Sequence, residues 1–549
     1  MKSIGELLVV VSVDDAGERK RSGRHLLAEY RLARWAMDDL IEYLLARWPR
    51  QCASVVARLN EADLQEPGTC DSLEGIPAVW RVVLDRMAVD EQLVSPIEAI
   101  LQKIERLLES PERLGILQDL CLVVAARRPL PETSSDLGRH SDEIIRLTSP
   151  RGILLKLAAD SVIASLRGPS LPGCLLPTPP SEIIRQVSRQ ADFESFAKLR
   201  SIVEDASADK FHAAAVGILV SANPDWRPRK TKDLDLTLAT LDGARWSGLD
   251  LRHARLASAS LTNADLSEAD LSLAAMSYVD LAFADLRSSC LAGVESMMAN
   301  FSGADLTCAD ATSAAITIAK FENARLDGAR LDYAKLTGSD LTGASFKGAS
   351  LKFAELQAAV VNDADFSGAD FEGAELDGVR FCESVIRGAR FGGALMKHAN
   401  LEFVDVGEYA DFSKTSMTGA LLTGAQLPKA CFGEADLRMA GLADVNLEGA
   451  DLRGADLTNA TFHMGSSRSG LVDSPLASEG TRTGFYTDDY EEKHFMSPEE
   501  IRKANLSGAD LTGAKIGDTD FYLVDLRGAV FDRKQRRHFE RCGAILDCR

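Results

Sequence analysis

The sequence predicts a chain of two unlike parts: a mostly α-helical N-terminal domain over 1–225, then an elongated repeat solenoid. Three observations carry that prediction. From Leu236 to Val406 nearly every fifth residue is large and apolar, a spacing that fits neither the helix period nor the strand period. Before about residue 225, apolar residues recur instead at three and four, with Ser-Pro helix starts between them. Composition is 46% hydrophobic but only 6% aromatic, which describes a core of Leu and Ala more than of rings.

The 549 residues would ordinarily fill about three or four compact domains, which one repeat array can replace. Ten cysteines are scattered without a CxxC pair, the usage of a reducing compartment, so a cytoplasmic protein is expected. The start of the chain has Glu6 ahead of its apolar run and no small-residue cleavage site, so no signal peptide is expected. No stretch approaches the roughly 18 apolar residues of a membrane span.

Residues 5–13 read as a short strand, and the helical rhythm begins at Ser22. Leu26, Leu27, Tyr30, Ala33, Leu40, Ile41, Leu44, Leu45 and Trp48 line one face until Pro49. Ser95-Pro96-Ile97-Glu98 combines an N-cap hydroxyl, a first-turn proline and a glutamate reaching back to free amides. Ser110-Pro111-Glu112 starts a second helix, and Ser149-Pro150 a third that reaches about Arg167. The polar segment Pro129–Asp142 reads as a linker between two sub-bundles, split near 128–148. The five prolines of Pro169–Pro180 exclude a helix there. Two further helices are expected near 181–204 and 207–221.

No catalytic, cofactor or metal site is expected in this domain. His25, His140 and His212 lie far apart, and no HExxH, GxSxG or Gly-rich phosphate loop occurs. Cys70 stands beside Asp71, whose charge opposes a thiolate.

The repeat reads Ala, then Asp, Asn, Ser or Arg, then Leu or Phe, then two small or polar residues, as in Ala264-Asp265-Leu266-Ser267-Glu268. Its phase holds from Leu236 to Val406, slips by one residue around Gly407-Glu408-Tyr409, and resumes from Phe412 to Phe462. After an interruption it runs again from Leu506 to Phe531. The three blocks contain 35, 11 and 6 units.

This pattern resembles the pentapeptide repeat family, whose consensus is A(D/N)LXX. The resemblance implies a right-handed quadrilateral β-helix with four units to a coil. It makes Leu266, Leu306, Leu326, Phe346, Phe366, Phe371, Phe391 and Phe412 inward-facing centres, each with a small residue two before it. Fifty-two units then make about 13 coils and a rod of about 60 Å. Phe371, Phe391 and Phe412 should stack in one ladder, and Phe346 and Phe366 in another. Trp246, large for a narrow interior, is expected at the first coil. Cys290, Cys308, Cys382 and Cys431 are expected in the core, and the weak centres Ser296 and Ala311 should mark an irregularity.

Residues 231–465 hold 34 acidic and 19 basic side chains, net −15 of the chain's −20. Solvated Asp keeps a stacked array soluble, and direct nucleic-acid binding by so acidic a rod is not expected. The resemblance also implies an alternative: an acidic rod imitating a DNA duplex and modulating a gyrase-like type II topoisomerase.

The segment 466–503 interrupts the array. Its residues Phe485, Tyr486, Asp488, Asp489 and Tyr490 mix rings and acids and are the candidate interaction residues, since loops on rigid scaffolds carry specificity. Ser497-Pro498-Glu499-Glu500 caps a short helix back into the final coils at 504–531. The basic stretch 532–541 reads as a helix covering the open end, within a cap of 532–549. Dimerisation through a β-helix end is a further implication of the resemblance. The function expected is a non-enzymatic scaffold for a protein partner, with enzyme or sensor activity in 1–225 as a second alternative.

Overall fold

The computed structural model describes residues 34–65, 70–108, 110–126, 141–229, 231, 234–381, 383–462, 504–517 and 519–547. The chain divides into two compact units, one ending at Leu199 and one beginning at Arg200. This lies ahead of the boundary at 225 because helix 209–222 belongs with the repeat array.

The first unit is helical: α1 (Met37–Arg47), α2 (Cys52–Gln65), α3 (Pro77–Val89), α4 (Pro96–Leu108), α5 (Pro111–Ala125), α6 (Ser141–Thr148), α7 (Arg151–Leu166), α8 (Ser181–Gln190) and most of α9 (Phe193–Glu204). Two of the three Ser-Pro starts act as caps, while the helix after Ser149 begins from Pro150 without a side-chain cap. Ser95 Oγ accepts from the Glu98 amide at 3.3 Å and Ser110 Oγ from the Arg113 amide at 3.3 Å. α5 and α7 form the principal pair, burying Leu117, Leu120, Cys121, Ile153, Leu157 and Val162. Ser161 Oγ donates to Asp119 across that pair at 2.6 Å.

Two polar clusters tie down the flanking helices. Tyr43 Oη, Arg47 Nε and Trp48 Nε1 converge on Asp85 Oδ1, fixing α1 to α3. Arg58, only 8% exposed, donates to the carbonyls of Met87, Asp90 and Leu93. A guanidinium thus satisfies acceptors that the C-terminus of α3 leaves open.

The single helix expected over 181–204 is two. It breaks at Ala191, and Asp192 restarts it as an N-cap, accepting the Ser195 amide at 2.9 Å.

The second unit contains α10 (Asp209–Ala222), the array and α11 (Arg533–Cys542). The array is a β-helix solenoid built from isolated parallel bridges between residues 20 apart: Arg245 with Asp265, Asp265 with Asp285, Asp285 with Asp305. Four five-residue units therefore make one turn. In most units the centre's amide donates to the next coil, as Leu266 does to Asp285 at 2.7 Å. The corner closes through the Ala269 amide onto the Leu266 carbonyl at 3.1 Å. The residue two after the centre has positive φ, +58° at Glu268, the pattern of a type II turn.

The slip is visible in the register. Arg390, Leu395, Asn400 and Asp405 bridge to Asp411, Ser416, Leu421 and Gln426, each 21 residues on, and from Asp411 to Cys431 the spacing returns to 20. Across the interruption the ladder closes again, with Asn446 bridged to Asn505 and Asp451 to Asp510.

The interior is mostly apolar. Leu266, Phe346, Phe366, Phe371, Phe391 and Phe412 are fully buried, and Leu306 and Leu326 are 1% exposed. Burial of each such side chain contributes about 1.5–3 kcal/mol. Phe371, Phe391, Phe412 and Phe432 stack at 5.1, 5.0 and 5.0 Å with planes within 5°. Phe346 and Phe366 stack at 4.9 Å. No break accompanies Ser296 or Ala311, contrary to expectation: bridges run unbroken from Ala275 through Glu295 to Ala315 and from Cys290 through Asp310 to Arg330. Ser296 is buried, with its hydroxyl 3.4 Å from the Met276 carbonyl.

Both rims are covered by polar side chains. At the start, the Arg245 amide donates to the Pro224 carbonyl at 2.8 Å, as a coil would. Pro228 has no amide to continue that ladder, and Arg227 takes its place, donating to the carbonyls of Arg245 and Ser247 at 3.1 and 2.8 Å. Trp246 lies in this first coil, fully buried, with its indole donating to the Trp226 carbonyl at 2.9 Å. At the far end Gln535 Nε2 of α11 donates to the carbonyls of Leu511 and Ala514, both at 2.9 Å. Phe539 seals the interior edge-on to Phe521 at 4.7 Å.

Candidate interaction surface

With the inward positions occupied by packing, the chemistry available to this unit lies on its outer wall. Three positions of each unit face outward: the bridging residue before the centre and the two residues after it.

The bridging position explains its own preference for Asp and Asn. The side-chain oxygen accepts the amide two residues on, as Asp265 does from Ser267 at 3.1 Å, Asp305 from Thr307 at 3.0 Å and Asn300 from Ser302 at 3.1 Å. Where Arg follows two residues later, its guanidinium forks onto the same carboxylate. Arg252–Asp250, Arg438–Asp436 and Arg453–Asp451 each make two such bonds between 2.6 and 2.9 Å. The Arg438 guanidinium, with the Arg438 amide and the Thr418 hydroxyl, holds Asp436 down to about 2. Arg252 does the same for Asp250, also to about 2. Much of the wall's acidity is thereby engaged within the wall.

Three of the four cysteines expected in the core are on this outer surface. Cys290 and Cys431 precede the centres Leu291 and Phe432 and are half-buried, while Cys308 occupies a turn and is exposed. Their phase relative to the centres was the available signal. Cys382 lies outside the described residues. In the first unit, burial first and then Asp63 and Asp71 push the Cys70 thiol up to about 11, a poor nucleophile. Among the described residues no group of three His, Cys, Asp or Glu side chains is arranged to hold a metal ion.

The feature that residue-by-residue reading missed is apolar. One corner presents Leu238, Tyr278, Met298 and Ile318, with exposures of 52, 52, 49 and 55%. Each sits at a left-handed turn, φ between +54° and +64°, where L-residues are disfavoured by about 1–2 kcal/mol and a β-branched one such as Ile318 is an outlier. Tyr278, Met298 and Ile318 occupy consecutive coils, and Met297 adds an exposed neighbour. A second corner carries Leu273, Tyr333 and Phe353, the last two stacked at 5.1 Å in the open. Reading every fifth residue two places after the centre would have found both. The candidates Phe485, Tyr486, Asp488, Asp489 and Tyr490 lie outside the described residues.

The model of pentapeptide repeats matches residues 235–272, 254–293, 324–363, 364–402, 408–438, 440–464 and 502–533. The C-terminal half is a pentapeptide-repeat array. Solved structures similar to it include HetL, a pentapeptide repeat protein involved in heterocyst differentiation regulation from the cyanobacterium Nostoc sp. strain PCC 7120. That match is 28% identical over 40% of this chain and 87% of HetL, with a TM-score of 0.19. QnrB1, a plasmid-mediated fluoroquinolone resistance protein, matches at 21% identity over 46% of this chain and 100% of its own, TM-score 0.25. A pentapeptide repeat protein from the Arabidopsis thaliana thylakoid lumen matches at 21% identity over 31% of this chain and 77% of its own, TM-score 0.16. No curated protein sequence matches the chain. The pentapeptide-repeat coils of this chain also continue through 294–323, between two of the matched spans. Among the described residues no helix is long and apolar enough to cross a membrane.

Proposed function

We propose that this protein is a non-enzymatic scaffold that holds a protein partner along its pentapeptide-repeat array, which we read as a right-handed quadrilateral β-helix. The observation that carries the reading is the corner of Tyr278, Met298 and Ile318: three exposed apolar side chains on consecutive coils, each at a strained turn position. Strain and exposure both cost stability, and neither is needed for the fold, since glycine serves the same position at Gly243 and Gly338. The insertion residues Phe485, Tyr486, Asp488, Asp489 and Tyr490 belong to the same proposal as a second contact region. A cytoplasmic location, supported by ten scattered cysteines without a CxxC pair, and a bacterial style of protein complete it.

Affinity capture with the full chain tests the reading. A variant combining Tyr278→Ser, Met298→Ser and Ile318→Gly should fold and lose the partner, and so should deletion of 466–503 if that segment contributes. Retention of the same partner by both variants would sink the proposal.

A second reading, a duplex mimic acting on a gyrase-like topoisomerase, draws on the stacked carboxylates of Asp265, Asp285 and Asp305 along one side. It predicts salt-sensitive inhibition or protection of supercoiling by the full chain. Inertness at micromolar protein removes it.

A further inference from the structure

Where the array begins, the surface charge reverses. Arg200, Val203 and Glu204 from the last turn of α9 and Trp226, Arg227 and Arg229 from the segment before the first coil line a cleft of about 320 Å³. All six belong to the second unit, and the volume lies within the range of small-ligand sites. Three guanidiniums meet one carboxylate here, in a chain whose net charge is −20.

The cleft is held in shape by its neighbours. Arg227 is fixed by the carbonyls of Arg245 and Ser247. The Trp226 backbone is anchored by the Trp246 indole, leaving the half-buried Trp226 ring along the cleft wall. Buried Pro228 stiffens the link between Arg227 and Arg229. Arg229 stands 3.7 Å from Glu204, both side chains mostly exposed, a loose pair that an incoming anion can replace. Arg200 has no ion pair among the described residues.

We propose that this cleft binds a small phosphorylated ligand, its phosphate oxygens on Arg200 and Arg229 and a flat ring against the Trp226 indole. Guanidinium forks match phosphate oxygens two at a time, and an indole face offers stacking to a planar ring. The overall acidity of the chain repels anions, so saturable uptake of a polyanion requires a local site. Glu204 is the built-in competitor, and its removal should strengthen binding. This inference concerns a ligand site and stands or falls separately from the scaffold reading.

Isothermal titration of the full chain with pyrophosphate, ADP and adenosine tests it. ADP and pyrophosphate should saturate, ADP the tighter, and both should weaken as salt is raised; adenosine alone should not bind measurably. Arg200→Ala with Arg229→Ala should weaken ADP binding at least tenfold, and Glu204→Gln should tighten it several-fold. Because these three side chains are exposed, circular dichroism should match the parent. No saturation with ADP or pyrophosphate at millimolar concentration, or equal affinity in the double variant, would overturn the proposal.

Discussion

The ring of Phe283 lies across the left-handed turn of Gly303: a methyl group built on that glycine would stand 2.6 Å from two ring carbons. The same relation joins Leu273 to Gly293 and Phe403 to Gly424. At these corners a large turn side chain folds over the glycine one coil later, whereas Tyr333 instead stacks on Phe353. Gly303→Ala should destabilise the array by about 2–4 kcal/mol, combining left-handed strain with overpacking. Gly243→Ala, with equal φ but open space, should cost only about 1–2 kcal/mol. Phe283→Ala should erase the difference, and a double-mutant cycle in urea reads it directly.

Leu326 is 1% exposed in the tube, so Leu326→Asp should cost several kcal/mol, on the order of 3–5, or prevent folding. Asp265→Asn on the wall keeps the oxygen that accepts from Ser267 and should cost under about 0.5 kcal/mol. Equal effects in thermal melts would contradict the inward and outward assignment.

Ile318→Gly should stabilise the fold by up to about 1 kcal/mol, because it relieves a β-branched residue at φ +54°. A scanning calorimetry trace with a raised array transition is the expected result. A fall in the transition temperature would show that the side chain supports the fold, removing the argument that it is kept for contact.

Acid should weaken the wall before it touches the core. Asp250 and Asp436 are held down to about 2 by their arginines. A carboxyl whose pKa falls on folding stabilises above its unfolded value, near ~3.9, and loses that contribution as the pH drops through the folded one. Array stability should therefore be level above about pH 5 and decline between about pH 4 and 2. Carboxyl-carbon NMR of Arg438→Gln should show the Asp436 midpoint moving upward.

In the helical unit Arg58→Ala would leave the carbonyls of Met87, Asp90 and Leu93 without their donor. A loss of about 2–4 kcal/mol is expected, seen as early loss of helical signal in urea while the array's transition stays in place. Coincident loss of both transitions would show that the two units unfold together.

The five-residue rhythm made the array legible because it repeats one packing problem, and even the single extra residue before Phe412 showed in phase. Helix starts at Ser95 and Ser110 were legible for the same reason: one hydroxyl and one proline suffice. What escaped were features set by neighbours 20 residues away. Placing Cys308 in the core overlooked its phase, and the pairing of Phe283 with Gly303 exists only between coils. Asp192 was passed over as a cap because apolar spacing continues on both sides of it. Membership of α10 in the second unit depends on tertiary packing that helical periodicity does not encode. The arginine cleft joins residues 200–204 to 226–229 and has no linear motif.

Asn446 meets Asn505 as though nothing lay between them, amide to side-chain oxygen at 3.1 Å. A wall that rejoins itself so cleanly has corners that work as sockets. Foreign peptide could be spliced at 463–503, lengthened or exchanged, and the courses above and below would still meet. Novelty can thus accumulate in this protein by insertion at a turn, leaving the masonry it hangs from untouched.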